Sequence, residues 1–462
     1  MKIHDNIASE IKIAYIGGGS RGWAWNLMSD LAQEKALSGE VCLYDIDEDS
    51  AEKNKIIGNG IKLAHPDSAD WTYTTASSLR EALTGANFVI ISILPGTFDE
   101  MHSDVHAPEE YGIYQSVGDT VGPGGVIRAL RTIPMYEVIA AAIRDYSPDA
   151  WVINYTNPMA MCVKTLYRVF PKIKAFGCCH EVFGTQTFLA AVMSKKLGVE
   201  IKRNEIRANV IGTNHFTWLT SAQYKNHDVF PVYKDFCAEN AKIGFTEGND
   251  TNWANRFFQC KQMVKMDLFQ RYGSIAAAGD RHLAEFCPGT WYLASPECVK
   301  EWGFELTPVD YRREMLKERL AQRDKYVSGE EPFKLSPSGE EGVLQIKALL
   351  GLADLTTNVN MPNVGQIPNL PLGAVVETNA VFTSDSVKPV MAGKMPSNIF
   401  ALTIDAVMSQ EITVEAGLKR DLDMAYTAFL KEPQMRLSLK DSKALFDKMI
   451  DNTSAYLTEY KI

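Results

Sequence analysis

A short apolar segment that runs directly into a glycine-rich turn constrains the fold of this chain more than any other feature. Residues 11–18 are predicted to form a strand, and Gly17, Gly19 and Gly22 then give the pattern G-x-G-x-x-G ahead of a predicted helix over 24–36. Glycines at these spacings allow a tight turn, close approach of the backbone to a pyrophosphate and close helix packing. The free amides at the start of such a helix favour phosphate. The turn therefore predicts a dinucleotide-binding unit.

An acidic residue follows the next predicted strand. Asp45 ends the strand that begins at Val41, 23 residues after Gly22. An acid near this spacing typically accepts hydrogen bonds from ribose hydroxyls, and its charge would repel a 2′-phosphate. We therefore expect NAD+ as the cofactor rather than NADP+. On the motif alone, a plain glycine turn beside a surface aspartate stays open as the alternative.

The order of the predicted elements divides the chain in two. The first part alternates strands and helices, with a helix over 50–63, strands over 88–94 and 151–154, and a helix over 133–145. This alternation predicts an α/β fold with a Rossmann-like, doubly wound parallel sheet over residues 1–198. The second part, 199–462, is predicted to be a mixed α/β, helix-rich catalytic domain. Its predicted elements are a strand over 206–212, helices near 252–271 and 311–324, an ordered loop over 362–374 and a helical tail over 398–459.

Charge and cysteine content narrow the possible partners. The formal net charge is -10, so the chain lacks the overall positive charge of a nucleic-acid or anionic-membrane binder. Apolar runs are strand-sized, and the N-terminus does not resemble a signal peptide. Eight cysteines without a CxxC pair do not suggest a disulfide framework. We expect a cytoplasmic protein with reduced thiols that assembles as a homodimer or homotetramer.

Three short segments carry candidate site residues. They are Asn154-Tyr155-Thr156-Asn157-Pro158, Cys178-Cys179-His180-Glu181-Val182 and Gly212-Thr213-Asn214-His215. Each is ambiguous by itself, because a cysteine after a strand is usually a small buried apolar residue and a single histidine is seldom a ligand. Cys179 and His215 are 36 residues apart, which matches no compact metal motif.

The order of these segments behind the glycine turn resembles glycoside hydrolase family 4, the glycosidases that need NAD and a divalent metal. The resemblance covers most of the chain. It includes these further segments: 117–125, 128–134, Asp280-Arg281-His282 with Glu285-Phe286, Asn363-Val364-Gly365, Asn369-Leu370-Pro371 and Val376-Glu377. Enzymes of this family depart from the hydrolysis by two carboxylates that most glycosidases use.

The resemblance implies a lactate/malate dehydrogenase-like fold and an unusual reaction. NAD+ takes hydride from C3, a base removes the C2 proton, and the metal stabilises the enediolate. The aglycone leaves C1 by elimination, water adds back, and the hydride is returned. In this scheme Cys179 and His215 hold the metal, for which the family implies Mn2+, and other divalent metals are possible. Asn157 contacts the substrate beside the nicotinamide.

The base and the acid are assigned from the same resemblance. The segment that starts at Asp280 resembles the branch acting on non-phosphorylated sugars, where an aspartate removes the C2 proton. Asp280 is therefore the predicted base, and Tyr272 is the fallback. His180 occupies the position of the leaving-group acid, although other members carry aspartate there. Histidine can donate a proton near neutral pH.

The form Cys-His-Glu-Val resembles the group that cleaves α-galacturonides, so we expect a terminal α-galacturonide of an oligosaccharide as substrate. A uronic acid carboxylate needs a cationic partner, for which Arg281, Arg131 and His180 are candidates. Glu181 is a candidate to orient His180 or a metal ligand. The alternatives are a family 4 α-galactosidase or α-glucosidase, an NAD-dependent hydroxy-acid dehydrogenase, and a nucleotide-binding protein without catalysis.

Overall fold

The computed structural model describes residues 1–246, 257 and 259–461. Strands supply the frame on which the site is built. They are β1 (Lys2–His4), β2 (Ile7–Ile16), β3 (Leu37–Tyr44), β4 (Trp71–Thr75), β5 (Phe88–Ile91), β6 (Trp151–Asn154), β7 (Lys174–Gly177), β8 (Ile206–Thr213), β9 (Phe216–Tyr224), β10 (His227–Asp228), β11 (Ile275–Ala276), β12 (Leu355–Pro362), β13 (Val375–Thr383) and β14 (Ser386–Pro389).

Helices cover both faces of this frame. They are α1 (Trp23–Gln33), α2 (Glu48–Ala64), α3 (Leu79–Leu83), α4 (Phe98–His106), α5 (Gly122–Tyr146), α6 (Met159–Val169), α7 (Glu181–Leu197), α8 (Val229–Asn240), α9 (Met263–Tyr272), α10 (Asp280–Glu285), α11 (Gly289–Tyr292), α12 (Pro296–Glu301), α13 (Val309–Ser328), α14 (Gly342–Leu349), α15 (Ser397–Lys419), α16 (Leu422–Leu430) and α17 (Leu439–Asn452). None of these helices combines the length and the apolarity that crossing a membrane requires.

A parallel sheet forms the centre of the molecule. Its strands follow the order β4-β3-β2-β5-β6-β7, and every neighbouring pair is parallel. The central strands are apolar on both faces: Ile90 and Ile153 are buried on one face, and Val89 and Val152 on the other. Both faces are covered by helices, as a parallel sheet requires. This order, with its reversal between β2 and β5, is that of the Rossmann fold, so the predicted doubly wound sheet is confirmed.

The second half of the chain returns to the same sheet. β12 pairs antiparallel with β7 through Asn360 and Gly177, and β13 and β14 follow beyond β12. With β1, which pairs antiparallel with β2, the sheet has ten strands. The ring of Phe382 on β13 meets Phe176 on β7 edge to face, with centroids 5.2 Å apart. The division at residue 198 stays a prediction, to which the structure adds that residues 355–389 complete the sheet of the first part.

A smaller antiparallel sheet and a helical layer make up the remainder. β8, β10 and β11 all pair with β9. Helices α15, α16 and α17 pack against α5 around a shared apolar cluster that includes Ile127, Leu130, Phe429 and Leu445. The helical tail is confirmed. The expected ordered loop lies between β12 and β13, where the Asn363 amide donates to three backbone carbonyls of that loop.

Two predicted helices differ from the structure. The helix expected over 133–145 begins at Gly122, because burial of Val126 and its neighbours outweighs the low helix propensity of a Gly-Pro-Gly-Gly start and of Pro134. For the helix expected near 252–271, the structure describes Met263–Tyr272. Residues 252–256 and 258 lie outside the described residues.

Candidate active site

The predicted site residues of the first half gather at one edge of the parallel sheet. The glycine turn follows β2, Asp45 follows β3, Asn157 follows β6 and Cys179 follows β7. Since the strands are parallel, their carboxyl ends open on the same side. Ligands of such sheets bind outside these ends, near the point where the strand order reverses.

The glycine turn is shaped by backbone that leaves no room for side chains. Gly17 has a φ of +91°, and a Cβ placed there would lie 2.0 Å from the carbonyl oxygen of Ser92. The amide of Gly19 donates to Asp45 Oδ2 at 2.8 Å. Asp45 therefore fixes the turn directly. The next helix begins at Trp23, and no side chain of the described residues caps its first amides.

A second group of polar side chains forms a candidate metal site. Asp119, His215 and His282 each offer one ligand atom, and these atoms all lie within 4.8 Å of one another. The two imidazole rings stack with centroids 4.0 Å apart. Thr120 Oγ1 lies 3.1 Å from His215 Nδ1 and donates to Asp119 Oδ1 at 2.8 Å. We call Asp119, His215 and His282 the Asp-His-His cluster.

Burial and mutual charge set the protonation of the cluster. Burial lowers the pKa of His215 to about 3, and the neighbouring His282 adds to this effect. Burial also lowers the pKa of His282. Burial opposes ionisation of Asp119, yet His215, His282 and the Arg128 guanidinium hold its pKa well below the usual range. One carboxylate and two neutral imidazoles are a donor set suited to a divalent metal.

Hydrogen bonds between distant segments bring the cluster together. Ser116 donates its hydroxyl to the carbonyl of Arg281 at 2.6 Å. Glu285 accepts from the amides of Val117 and Gly118 at 2.7 and 2.9 Å. These bonds fix the segment before Asp119 against α10, which carries His282. The hairpin between β8 and β9 supplies His215.

Cys179 lies beside this cluster without belonging to it. Its side chain hydrogen-bonds with Asn214, the residue before His215. Burial raises the pKa of the Cys179 thiol, and the nearby carboxylates of Glu377 and Glu181 raise it further. Asn214 in turn donates to Glu377 Oε2 at 3.2 Å. Cys179 thus contacts the residue that directly precedes His215 in the chain.

Asn157 also reaches the cluster. Its side-chain amide donates to Asp119 Oδ2 at 3.1 Å, and its backbone carbonyl accepts from Arg128 Nε at 3.1 Å. Asn157 therefore connects the carboxyl end of β6 to the Asp-His-His cluster.

His180 and Glu181 form a polar chain along the site. His180 Nδ1 lies 3.0 Å from Glu340 Oε1, and the His180 side chain is 54% exposed. This bond raises the pKa of His180 to about 9, against the effect of burial. Glu181 Oε1 lies 3.5 Å from His282 Nε2 and 4.0 Å from His180 Nε2. Glu181 Oε2 accepts from the Gly279 amide at 2.6 Å.

The two candidate bases lie near opposite ends of α9: Asp280, the first residue of α10, contacts its start, and Tyr272 is its last residue. Asp280 is fully buried and accepts from the amides of Val264 and Lys265, at 3.2 and 3.0 Å, in the first turn of α9. Tyr272 ends the same helix, about 14 Å along its axis at roughly 1.5 Å per residue. Burial raises the pKa of Asp280 to about 6, although Lys265 opposes this. Of the two, Asp280 lies on the same short helix as His282 of the cluster, two residues before it.

The arginines named from the sequence have different surroundings. Arg281 is buried, and its guanidinium donates to the Ser116 carbonyl at 3.2 Å. Arg131 is 1% exposed and forms a two-point ion pair with Asp104, at 3.0 and 2.5 Å. Asp104 thus occupies the face of Arg131 that a substrate carboxylate would use.

Two members of the cluster have no role predicted from the sequence. Asp119 and His282 both lie in segments that carry the family resemblance, yet neither belongs to a recognisable ligand spacing. One feature of the sequence could have indicated His282: three consecutive ionisable residues, Asp280-Arg281-His282, stand at the start of a short helix. Their proximity to Asp119 depends on tertiary contacts that no local pattern encodes.

The fold and this site define a class of protein: an enzyme built on a Rossmann-like, dinucleotide-binding fold, with polar groups at the carboxyl ends of its strands. Residues 12–195 match the model of the family 4 glycosyl hydrolases, and residues 210–435 match that of the family 4 glycosyl hydrolase C-terminal domain. The chain belongs to glycoside hydrolase family 4 and is a glycoside hydrolase, which confirms the resemblance seen in the sequence.

Individual relatives extend over the whole chain. An alpha-galacturonidase of Thermoanaerobacterium saccharolyticum is 58% identical over 463 residues, covering 100% of both chains. The crystal structure of lplD from Bacillus subtilis is 49% identical, with a TM-score of 0.91 over 96% of this chain and 100% of that one. A 6-phospho-alpha-glucosidase from gut microorganisms, solved with NAD and Mn2+, is 20% identical and shares the fold, with a TM-score of 0.79 over 98% of this chain and 100% of that one.

Proposed function

We propose that this enzyme cleaves terminal α-linked galacturonic acid residues and requires NAD+ and Mn2+ for the reaction. The observation that carries the proposal is the segment Cys179-His180-Glu181-Val182, which lies at the carboxyl end of β7 beside the Asp-His-His cluster. The similarity of the whole chain to an alpha-galacturonidase supports the same substrate.

Free cysteines at all eight positions support a reducing compartment, for which we propose the cytoplasm.

The residues of the glycine turn suit a dinucleotide. The amides at the start of α1 have no side-chain cap among the described residues, so they can donate to a pyrophosphate. Gly17, Gly19 and Gly22 have no side chains that would keep a pyrophosphate away from the backbone there. Asp45 holds the turn through Oδ2, and Oδ1, which accepts from the Asp47 amide, would use its second lone pair for a ribose hydroxyl.

The residues around His215 suit a divalent metal. Neutral imidazoles and an ionised carboxylate are ready donors, and Cys179 lies alongside as a thiol that a metal would deprotonate. We propose that Cys179 and His215 hold Mn2+, with Asp119 and His282 as further donors. Glu181, which contacts both His180 and His282, would orient their rings.

In this proposal the bound NAD+ supplies reversible hydride transfer and the metal supplies Lewis acidity at sugar oxygens. The protein side chains bind, orient and move protons. Asn157 positions the sugar hydroxyls with an amide that does not titrate. Asp280 removes the C2 proton. His180, held through Nδ1 by Glu340, donates a proton to the leaving oxygen from Nε2.

A substrate panel tests the proposed activity. Full-length enzyme freed of cofactors would be assayed on aryl α-galacturonide, α-galactoside and α-glucoside with NAD+, Mn2+ and a thiol reductant. We expect galacturonide cleavage that needs both additions and leaves no net NADH. Equal or better cleavage of a neutral hexoside would reassign the substrate within the family. NADH accumulating in proportion to turnover would indicate a dehydrogenase instead.

The base is tested by a pair of substitutions, one at Asp280 on α10 and one at Tyr272 at the end of α9. We expect Asp280→Asn to lose most of kcat while NAD+ binding persists, because the amide keeps the shape but not the basicity. Tyr272→Phe is the matched control and should stay near wild type. A C2-deuterated substrate should react more slowly with wild type if that step limits. Collapse of Tyr272→Phe with normal Asp280→Asn rates would move the base to Tyr272.

A further inference from the structure

Helix α13 runs alongside the site and carries two arginines on one face. A Cβ placed on Gly22 would lie 2.9 Å from a guanidinium nitrogen of Arg319, so this arginine covers the glycine turn. Arg312 precedes it by seven residues, two helical turns or about 10 Å. Residues at this spacing share a helix face. Arg312 therefore faces the site further from the glycine turn.

Neighbouring residues hold this first turn of α13 in place. The Val309 amide donates to His106 Nε2 at 3.2 Å, and the Tyr311 ring packs against Phe257 with centroids 4.7 Å apart. Arg313 turns to the other side, where it contacts Asp310 and Asp99. Arg312 is thus presented by a fixed element.

The charges around Arg312 are unusual for a partly buried cation. Arg281, Arg128 and Arg319 are all close enough to repel it, and Asp119 is the carboxylate nearest to balancing them. Burial lowers the pKa of Arg312 to about 10, and the repulsion from Arg281 adds to this effect. The proximity of Asp119 places Arg312 on the side of the site where Asn157 and the Asp-His-His cluster meet.

Arg312 differs in its partners from Arg131 and Arg128. Arg131 is paired with Asp104, and Arg128 donates to the Asn157 carbonyl. Arg312 makes no hydrogen bond and no ion pair with any residue in the part of the chain that the structure describes. A guanidinium that is partly withdrawn from water and has no acceptor in the protein gains free energy from a ligand that provides one.

We infer that Arg312 binds the C6 carboxylate of the substrate and is the residue that distinguishes a galacturonide from a neutral hexoside. This inference rests on the proposed function. The planar guanidinium can donate two parallel hydrogen bonds to a carboxylate, whereas the hydroxymethyl group of a galactoside offers neither the charge nor the second acceptor. The surrounding arginines add to the attraction for an anion, whereas a neutral sugar would leave their charges uncompensated.

Substitution of Arg312 tests the inference in the full-length enzyme. We expect Arg312→Gln to lower kcat/KM for aryl α-galacturonide by about tenfold to a hundredfold, the range of one charge-assisted bidentate contact. Activity on aryl α-galactoside should stay the same or rise. Arg312→Lys keeps the charge but loses the paired N–H donors of the guanidinium. Its kcat/KM for aryl α-galacturonide should therefore lie between those of wild type and Arg312→Gln. Arg313→Gln, the adjacent arginine on the outer side, should behave as wild type.

A binding measurement separates recognition from folding and from cofactor binding. Calorimetry with NAD+ and Mn2+ present should show weaker binding of D-galacturonate to Arg312→Gln, at an unchanged Kd for NAD+. Equal losses on both glycosides, or a raised Kd for NAD+, would overturn the inference and assign Arg312 to the cofactor. An unchanged galacturonide preference in Arg312→Gln would also overturn it. Failure of wild type to prefer the galacturonide would instead contradict the proposed function.

Discussion

Cys179 and His215 are held in the site by different interactions. His215 is 2% exposed and stacks on His282, so it is fixed by packing. Cys179 is fixed by its position after β7 and by its contact with Asn214. Both are predicted from the sequence, whereas Asp119 and His282 enter the cluster through contacts between distant segments.

The proposed metal pair gives a prediction at this scale. We expect Cys179→Ser to weaken Mn2+ binding at least about tenfold, because a hydroxyl does not ionise to replace the thiolate. Calorimetry on the cofactor-free enzyme measures the change, and Cys298→Ser, a partly buried cysteine on α12, serves as control. Loss of Mn2+ binding in His282→Gln with none in Cys179→Ser would place the metal on the Asp-His-His cluster alone.

Glu432 gives a second prediction, away from the site. It is buried and accepts from the Gly122 amide at 2.6 Å and from the Ser409 hydroxyl. Burial raises its pKa to about 7, above the usual 4.5. The folded state therefore keeps a proton that the unfolded chain has released, and Glu432 lowers the free energy of unfolding as pH rises from 4.5 to 7.

Replacing this carboxyl by an amide should remove that dependence. Between pH 5 and pH 8, Glu432→Gln should gain about 1–3 kcal/mol of stability relative to wild type, from roughly 1.36 kcal/mol per pKa unit. Urea unfolding at both values measures the difference, with the exposed Glu330→Gln as control. Parallel profiles for wild type and Glu432→Gln would contradict the raised pKa.

At the scale of elements, local patterns predict most of the first half. β6 lies at 151–154 as expected, since its short apolar run fits a buried parallel strand. The start of α5 is missed, because Pro134 and the glycines before it suggest a loop when taken without their surroundings. The start of α5 is helical because it is buried against α15, α16 and α17, and these helices lie about 300 positions away in the chain.

The ion pair between α4 and α5 gives the prediction that belongs to this scale. Arg131 and Asp104 are both almost fully buried. Arg131→Met should lower the free energy of unfolding by about 3–5 kcal/mol, since it leaves the Asp104 carboxylate buried without its partner. Urea unfolding checks this, and Arg131→Met combined with Asp104→Leu should recover part of the loss. A loss below about 1 kcal/mol would show that the helices do not depend on the pair.

The whole molecule is organised by one sheet to which both halves contribute. The alternation of strands and helices predicts its parallel part, because each unit is local. The addition of β12, β13 and β14 is not predictable, since antiparallel pairing with β7 joins residues that are 183 positions apart, Gly177 and Asn360. No sequence period marks that pairing, and the strands themselves look like those of a separate domain.

This shared sheet gives the last prediction: a fragment of residues 1–198 should not fold as a stable unit. Removing the second half would expose the edge of β7 and the ring of Phe176, which is 0% exposed in the full chain. It would also uncover the face of α5 that packs on α15 and α16. An uncovered strand edge with apolar neighbours promotes aggregation. In calorimetry the full chain should unfold in one transition, while fragment 1–198 should aggregate or show none. Full-length Phe382→Ala, which removes the ring that covers Phe176, should be destabilised by about 3–5 kcal/mol without losing the fold. A soluble fragment with a cooperative transition near that of the whole protein would show that the first 198 residues form an independent domain.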